Sequence, residues 1–303
     1  MGDSSTVKQT FVVATDFSDD AACAVGWARE IARQHGARVA LVHAFVADAL
    51  PAPEFVPLPP QYYEQIHGEA MQRLQAEAQT FRDAGVDVQC ELVLSHPVLG
   101  VLDVARRHGA SLIVAGTRGR TGWKRVLLGS TAGRLVRDAA CPVLTVHPHD
   151  TGKPRPLRTV VVPTDFSEDA ALAAEAAARL LCVPGDGHKL VLLHAYRVPV
   201  EAMHLPATVL MDAIRKTSQE AQASLEELAA SLRRPGLAVE AVAREGYPPE
   251  VVLEHAAAIG ADLIAMGTHG RSGIGRAVLG STAERVVASA PCPVLTVRRP
   301  HAA

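Results

Sequence analysis

The chain repeats itself, and the repeat decides what it can fold into. Residues 11–21 return as residues 160–170, and residues 141–146 return as residues 292–297. Corresponding positions lie 149 to 151 residues apart from one end of the repeat to the other. A chain of 303 residues with such a repeat is predicted to form two units of one fold in tandem.

The repeat also sets the predicted domain limits. We assign residues 1–148 to the first domain and residues 157–303 to the second. The stretch between them, residues 149–156, contains Gly152, Pro154 and Pro156 and is predicted to be a linker.

Within each unit, apolar runs of strand length alternate with segments of helical periodicity. In the first unit we predict strands at residues 10–15, 39–44, 86–94, 112–115 and 143–146. Strands that alternate with helices favour right-handed crossovers and a parallel sheet covered on both faces. The predicted fold class is therefore α/β, with two tandem, doubly wound, five-stranded parallel-sheet domains of Rossmann-like type.

Composition excludes several classes of protein. Hydrophobic residues make up 48% and charged residues 20%, as in globular proteins, and the net charge of −2 argues against a nucleic-acid partner. No apolar run reaches the length of a membrane span, and the N-terminus lacks an apolar signal region. The five cysteines are scattered without a C-x-x-C pair. We therefore expect a cytoplasmic protein with no nucleic-acid or membrane partner and with reduced thiols.

A glycine-rich loop follows the fourth predicted strand of each unit and opens a helix. It reads G-x-x-G, nine residues, then G-S-T, once as Gly116, Gly119, Gly129, Ser130 and Thr131, and again as Gly267, Gly270, Gly280, Ser281 and Thr282. The first two glycines would let the backbone approach a phosphate, and Gly129 can adopt a positive φ before the helix. Backbone N–H groups at a helix start favour an anion. The loop predicts a phosphate site, and a glycine-rich turn without ligand stays the alternative.

Two better-known phosphate loops do not match. No G-K-[ST] occurs, so the lysine of the Walker loop is missing. The dinucleotide fingerprint follows the first strand of its unit, whereas this loop follows the fourth. The pattern is therefore a different kind of phosphate loop.

Polar side chains at the strand ends are the other candidate ligands. Asp16 and Asp165 end the first strand of each unit, where a carboxylate could accept from ribose hydroxyls or hold Mg²⁺. Turn formation beside the following serine is their alternative role. His43 and His194 lie in apolar strands and are predicted to be hydrogen-bonded core residues. The basic residues of the loops either reach phosphate or are solvated: Arg118, Arg120, Lys124, Arg125, Arg271 and Arg276.

Taken together, these residues resemble the universal stress protein family, and its tandem-domain members in particular. The resemblance covers residues 8–148 and 157–299. It rests on the Thr-Asp-Phe-Ser segments at residues 15–18 and 164–167, on the Leu-x-His strand ends and on the glycine-rich loops. The loop pattern is similar to the ATP-binding signature of that family and is complete in both halves.

The resemblance implies an adenine nucleotide alpha hydrolase-like fold that binds ATP, or AMP or ADP, with Mg²⁺ in each domain. Asp16 and Asp165 would contact ribose or metal, and backbone near Ala44 and Ala195 would contact adenine. Phosphate would be held by the first, second and third loop glycines and the serine in each unit. The predicted nucleotide-binding set is completed by Thr15, Thr131, Thr164 and Thr282.

Family members commonly pair through their fifth strands. Residues 143–146 and 294–297 could therefore pair within one chain to make a pseudo-dimer, with a homodimer as a further possibility. Such proteins act in survival under stress, as nucleotide-dependent regulators of a protein partner that the sequence does not name.

Three functions are compatible with these features. The favoured one is an ATP-binding stress regulator with little or no catalysis. The alternatives are a slow Mg²⁺-dependent ATP hydrolase or phosphotransferase and an interaction scaffold without nucleotide.

The first loop carries Trp123 and Lys124 where the second has Ile274 and Gly275, which predicts a bulkier first site.

Overall fold

The computed structural model of the protein describes residues 8–46, 60–117, 129–147, 154–181, 187–197, 206–270 and 279–299. Its contacts divide the chain into two compact units, Met1–Pro156 and Leu157–Ala303. Of the predicted linker, residues 149–153 lie outside the described residues. Pro154 belongs to the first unit, where it packs so closely on Gly26 that a Cβ there would lie 2.9 Å from its ring.

In its described residues, the first unit alternates five strands with four helices. In chain order the elements are β1 (Thr10–Ala14), α1 (Asp19–His35), β2 (Arg38–Phe45), α2 (Pro60–Asp83), β3 (Val88–Leu94), α3 (Pro97–Arg107), β4 (Leu112–Gly116), α4 (Ser130–Asp138) and β5 (Val143–Val146). The strands are parallel and lie in the order β3-β2-β1-β4-β5. This is the predicted doubly wound sheet.

The second unit repeats the same order of elements. They are β6 (Thr159–Pro163), α5 (Glu168–Leu181), β7 (His188–Tyr196), α6 (Ala207–Leu232), β8 (Leu237–Glu245), α7 (Pro248–Ala258), β9 (Leu263–Gly267), α8 (Ser281–Ser289) and β10 (Val294–Val297). The parallel strands lie in the order β10-β9-β6-β7-β8. The fold class predicted from the sequence is confirmed for both units.

Local chemistry explains where helix α1 begins and ends. The Ser18 hydroxyl caps it by accepting a hydrogen bond from the Ala21 N–H, and Asp19 and Asp20 occupy its positive first turn. Gly36 ends the helix in the left-handed conformation, with a φ of 60°. The buried face of α1 includes Trp27 and contacts β1, β4 and β5.

The third strand begins two residues later than the sequence predicts, at Val88 instead of residue 86. Gly85 takes a φ of 74°, and the Val86 N–H donates to the Phe81 carbonyl in the last turn of α2. Val86 therefore closes the helix before the strand can start.

The strand order places one crevice in each unit. Strand β1 lies between β2 and β4, so the chain leaves β1 towards one side and later returns on the other. Helix α3 packs on β1 and β2 and contacts α4. Ligands of such sheets bind at this switch in strand order, beyond the carboxyl ends of the strands. Strands β6 and β9 form the same arrangement in the second unit.

Two simple properties of the described residues complete the fold. None of their helices combines the length and the hydropathy that crossing a membrane requires. The described cysteines, Cys23, Cys90, Cys141 and Cys292, all carry free thiols.

Candidate functional site

A cavity opens at the strand switch of each unit. The cavity of the first unit has a volume of about 260 Å³ and that of the second about 440 Å³. Predicted ligand residues of the first unit that line its cavity are Thr15, Asp16, Ala44, Gly116, Gly129, Ser130 and Thr131. Those that line the cavity of the second unit are Thr164, Asp165, Ala195, Gly267, Gly270, Gly280, Ser281 and Thr282. Residues far apart in sequence are therefore brought together as predicted.

Some sequence predictions concern residues that the structure does not describe. Gly119 is one of them, and Trp123 is another. The six basic loop residues also lie outside the described residues: Arg118, Arg120, Lys124, Arg125, Arg271 and Arg276. The predicted difference in bulk between the two loops stays a prediction.

Backbone hydrogen bonds fix both ends of the glycine-rich loop. In the first unit the Thr117 N–H donates to the Val146 carbonyl at 3.0 Å, and the Gly129 N–H donates to the Thr117 carbonyl at 2.8 Å. In the second unit the Thr268 N–H donates to the Val297 carbonyl at 3.0 Å, and the Gly280 N–H donates to the Thr268 carbonyl at 2.9 Å. The loop is thus closed at its base and anchored to the fifth strand, so the start of the following helix has a defined position.

Gly129 does not use the positive φ that a glycine allows. Gly129 has a φ of −57° and Gly280 a φ of −59°, both in the ordinary extended conformation of a helix N-cap. At Gly280 a close approach favours the glycine instead, because a Cβ there would lie 3.1 Å from the Thr268 carbonyl oxygen. As N-caps, both glycines offer no side chain to the first turn of the helix. Its N–H groups at Ser130 and Ser281 therefore remain suited to an anion.

Gly116 and Gly267 have a packing role that the sequence did not reveal. A Cβ on Gly116 would lie 2.9 Å from the carbonyl carbon and oxygen of Asp20, in the first turn of α1. A Cβ on Gly267 would lie 2.8 Å from Asp169 and 3.0 Å from the Ala170 nitrogen, in the first turn of α5. These glycines let the fourth strand of each unit touch a helix backbone at the edge of the cavity.

A tight turn follows the first strand of each unit and positions its aspartate. Phe17 has a φ of 61° and Phe166 a φ of 62°, which is costly for a residue with a side chain. Asp16 Oδ1 accepts from the Ser18 N–H at 3.0 Å, and Asp165 Oδ1 accepts from the Ser167 N–H at 3.1 Å. The aspartates thus have the turn role named as their alternative. Their contact with ribose or metal stays a prediction.

His43 and His194 are hydrogen-bonded, as the sequence predicts, but only His43 of the two is buried in the core. His43 Nδ1 lies 2.8 Å from the Thr15 carbonyl oxygen, and His194 Nδ1 lies 2.7 Å from that of Thr164. The His43 ring lies 4.4 Å from the ring of Phe17, and that of His194 lies 4.7 Å from the ring of Phe166, between centroids. Each histidine therefore supports the turn that presents the aspartate.

Three kinds of cavity residue escaped the sequence analysis. Pro97 and Val101 of α3 form an apolar wall, as Pro248 and Val252 of α7 do in the second unit. Thr117 and Thr268 lie at the loop base, where a threonine follows the first loop glycine in both copies. His269 lines the second cavity, with Nδ1 2.9 Å from Thr268 Oγ1. The two threonines could have been found from the repeat, because both copies of the loop contain one at this position. The repeat gives no such signal for His269, because the first copy has Arg118 there.

The described residues offer no ready-made metal centre. No group of three or more histidine, cysteine, aspartate or glutamate side chains in that part of the chain could hold a metal ion. Mg²⁺ commonly takes only one or two carboxylates and completes its shell with phosphates and water. Asp16 and Asp165 fit such a site only together with a phosphate ligand.

Glu77 of α2 gives the first unit a carboxyl that the second unit lacks. Its Oε1 accepts from Thr15 Oγ1 at 3.2 Å, while Oε2 is buried without a partner among the described residues. Burial raises the pKa of Glu77, and the negative charge of Asp16 adds to this rise. The hydrogen bond from Thr15 and the Arg73 guanidinium oppose it. At the repeat spacing of 151 residues, Leu228 takes this place in the second unit.

We expect Glu77→Gln to stabilise the first unit at neutral pH. Because the pKa of Glu77 is raised on folding, its contribution to stability is complete below the unfolded pKa of about 4.3 and is lost as pH rises through the folded pKa. A neutral amide avoids that loss, so the free energy of unfolding at pH 7 should rise by an amount on the order of 0.5 kcal/mol. The gain is small because part of the side chain stays in contact with water. Urea unfolding at pH 7 and pH 4 should show a gain that shrinks at the lower pH. An equal gain at both pH values would contradict the assignment.

Comparisons with known proteins agree with the fold and with the tandem repeat. The family model described as "Universal stress protein family" matches residues 8–147 and again residues 156–298. Universal stress protein Rv2005c of Mycobacterium tuberculosis is 32% identical over 295 residues, which cover 93% of each chain. Rv2623 of the same species is 31% identical over 299 residues, which cover 95% of each chain.

A solved structure supports the same conclusion for the fold. The crystal structure of a universal stress protein from Archaeoglobus fulgidus has a TM-score of 0.72 to this chain at 21% identity. The match covers 96% of this chain and 98% of the other. The chain therefore belongs to the universal stress protein family and carries two family domains in tandem.

Proposed function

We propose that each unit binds one adenine nucleotide, as ATP, ADP or AMP, and that the chain is a nucleotide-dependent stress regulator with little or no catalysis. One observation carries this proposal. Every predicted nucleotide ligand that the structure describes lines one of the two cavities. The family membership supplies the link to stress.

The second cavity has the size of a small-molecule site and both apolar and phosphate-favouring residues in its lining. Its volume of about 440 Å³ falls in the usual range for small-molecule pockets. Val252 and Met266 offer apolar surface for a base. Ser281 and Thr282 also line it, in the first turn of α8, where N–H groups and the helix dipole favour phosphate.

Mg²⁺ belongs to the proposal as a companion of the nucleotide. Asp16 and Asp165 would hold it, with the phosphates and water completing its ligands. When bound, the ion would neutralise charge on the phosphates. The residues of the chain would orient the nucleotide between the apolar wall and the helix start.

Equilibrium dialysis of the full chain with labelled ATP and Mg²⁺ tests the proposal. We expect saturable binding that approaches two nucleotides per chain. Absence of binding at millimolar ATP would contradict it and would favour the scaffold alternative. ADP that accumulates over many turnovers would favour the hydrolase alternative instead.

Pairing of the fifth strands, Val143–Val146 and Val294–Val297, also stays a prediction, as do a homodimer and a cytoplasmic location. Light scattering of the purified chain would decide between a monomer and a homodimer.

A further inference from the structure

One aromatic ring of the second unit holds two arginine side chains. The guanidinium carbon of Arg197 lies 4.5 Å from the centroid of the Tyr247 ring, and that of Arg285 lies 5.3 Å from the same centroid. The three residues come from three elements, because Arg197 follows β7, Tyr247 is the N-cap of α7 and Arg285 belongs to α8. The fold therefore brings two positive charges to one ring.

All three residues adjoin the lining of the second cavity. Tyr247 directly precedes the first cavity residue of α7. Arg197 follows the cavity residue Ala195 by two positions, the spacing at which side chains of an extended chain share a face. Arg285 follows Ser281 by four positions, which places the two side chains on one face of α8. The ring and its two arginines therefore lie beside the cavity, and none of them belongs to the glycine-rich loop.

Neither guanidinium group is neutralised by the part of the chain that the structure describes. Arg197 and Arg285 are exposed, and no described carboxylate forms an ion pair or a hydrogen bond with either of them. Attraction to the ring face holds each guanidinium group in place, whereas the two like charges repel each other. A dianion that contacts both groups would remove this repulsion. Phosphate suits that position, because the planar set of arginine donors matches its oxygens.

The repeat shows that this set of side chains is particular to the second unit. At the repeat spacing of 151 residues, the first unit has Val46 in place of Arg197 and His96 in place of Tyr247. Only the arginine of α8 has a counterpart of its own kind, Arg134 of α4. The second cavity is also the larger one, at about 440 Å³ against about 260 Å³. A ligand with an additional anionic group is therefore expected at the second unit and not at the first.

We propose that Arg197, Tyr247 and Arg285 form an anion site of the second unit that binds a dianionic phosphate group. Both guanidinium groups donate hydrogen bonds to the phosphate oxygens, and the tyrosine ring keeps the two groups beside each other. Arg285 lies one helical turn, about 6 Å, beyond Ser281 along α8. A nucleotide with its 5′-phosphate at the start of α8 would therefore reach this site with a second phosphate on its ribose. For that ligand, a nucleoside 3′,5′-bisphosphate, the inference rests on the proposed function, whereas for a separate phosphate group it does not.

Fluorine NMR of the full chain labelled with 3-fluorotyrosine observes this site directly, because Tyr247 is one of only four tyrosines. The resonance that is missing from Tyr247→Phe identifies the ring. We would titrate this resonance with adenosine 3′,5′-bisphosphate, with AMP and with inorganic phosphate at constant ionic strength. The bisphosphate should reach half-saturation at a concentration about tenfold lower than AMP. Arg197→Ala and Arg285→Ala should each remove most of this advantage. Arg179→Ala, which removes an exposed charge from α5, should retain it.

The outcomes distinguish the two sources of phosphate and separate the site from the proposed function. An advantage of the bisphosphate that both arginine variants lose supports the site and assigns it to the nucleotide of the second cavity. A saturable response to inorganic phosphate that both variants lose, without an advantage of the bisphosphate, supports the site and assigns it to a separate phosphate group. Equal half-saturation by AMP and the bisphosphate without a response to inorganic phosphate, or responses that both variants retain, would overturn the site and leave the proposed function intact. If neither ATP nor AMP binds, the proposed function is overturned, and the response to inorganic phosphate still tests the site.

Discussion

Gly267→Ala should destabilise the second unit by about 2 to 3 kcal/mol, a large effect for one methyl group. The new Cβ would lie 2.8 Å from the Asp169 carbonyl carbon and 3.0 Å from the Ala170 nitrogen. These are backbone atoms, so no side-chain rotation can make room. Strand β9 or helix α5 has to move, and both belong to the buried core of the unit.

Urea unfolding followed by circular dichroism measures this effect, and two further glycines provide its controls. Gly116→Ala should destabilise the first unit in the same way, because its Cβ would lie 2.9 Å from the Asp20 backbone. Gly68→Ala adds the same methyl within α2, where no atom lies within 4 Å, and should stabilise by about 0.5 to 1 kcal/mol. A Gly267→Ala chain that unfolds at the wild-type urea concentration would contradict the close approach.

The sequence was informative about the fold because repetition and periodicity agree. Each predicted strand exists, and β5 has the predicted limits because a proline precedes its apolar run and the conserved spacing of the repeat fixes its place. The start of β3 was missed for a physical reason. Val86 is apolar and suits a strand, but its N–H is needed to close α2, and that need depends on the three-dimensional end of the helix.

The residues that line the cavities were easier to predict from the sequence than the contacts that those residues make. Gly116 was correctly placed beside the cavity, yet its contact with the Asp20 backbone follows from how β4 meets α1, which no local pattern encodes. The left-handed turn at Phe17 was also missed, because phenylalanine rarely adopts a positive φ. Tertiary contacts, such as the ring of His43, support that turn, so its signal lies outside the local sequence.

The two units share the packing of their long helices but differ at some positions near the cavities. Leu74 and Leu225 occupy equivalent, fully buried places, so the packing of the two long helices is retained. However, Glu77 corresponds to Leu228 in the repeat, and His269 corresponds to Arg118, which lies outside the described residues. The first unit therefore has a carboxyl beside a cavity residue, Thr15, where the second unit has an apolar side chain in the repeat.

Gly270→Ala should weaken nucleotide binding at the second site by about tenfold, or about 1.4 kcal/mol, without unfolding the unit. A Cβ there would lie 2.6 Å from Asp165 Oδ2, so the methyl would displace the carboxylate that we assign to ribose or Mg²⁺. The atom in its way is the end of a side chain, which can rotate, and Gly270 itself is exposed. The fold should therefore lose no more than about 0.5 kcal/mol.

Site-resolved photolabelling with 8-azido-ATP distinguishes this effect from a general loss of structure. The half-saturating concentration should rise in the second unit and stay unchanged in the first. The first unit is the internal control, because it has the same fold and is labelled in the same sample. Gly68→Ala, which adds a methyl in open space on α2, should change neither. If Gly270→Ala leaves the second site at wild-type affinity, Asp165 does not contact the nucleotide, and its role is structural, as in its hydrogen bond to the Ser167 N–H. The Asp165 carboxylate accepts from the Ser167 N–H through Oδ1 and faces Gly270 through Oδ2. A loss of nucleotide affinity at the second site alone would therefore mean that the turn after β6 both ends the strand and presents a ligand.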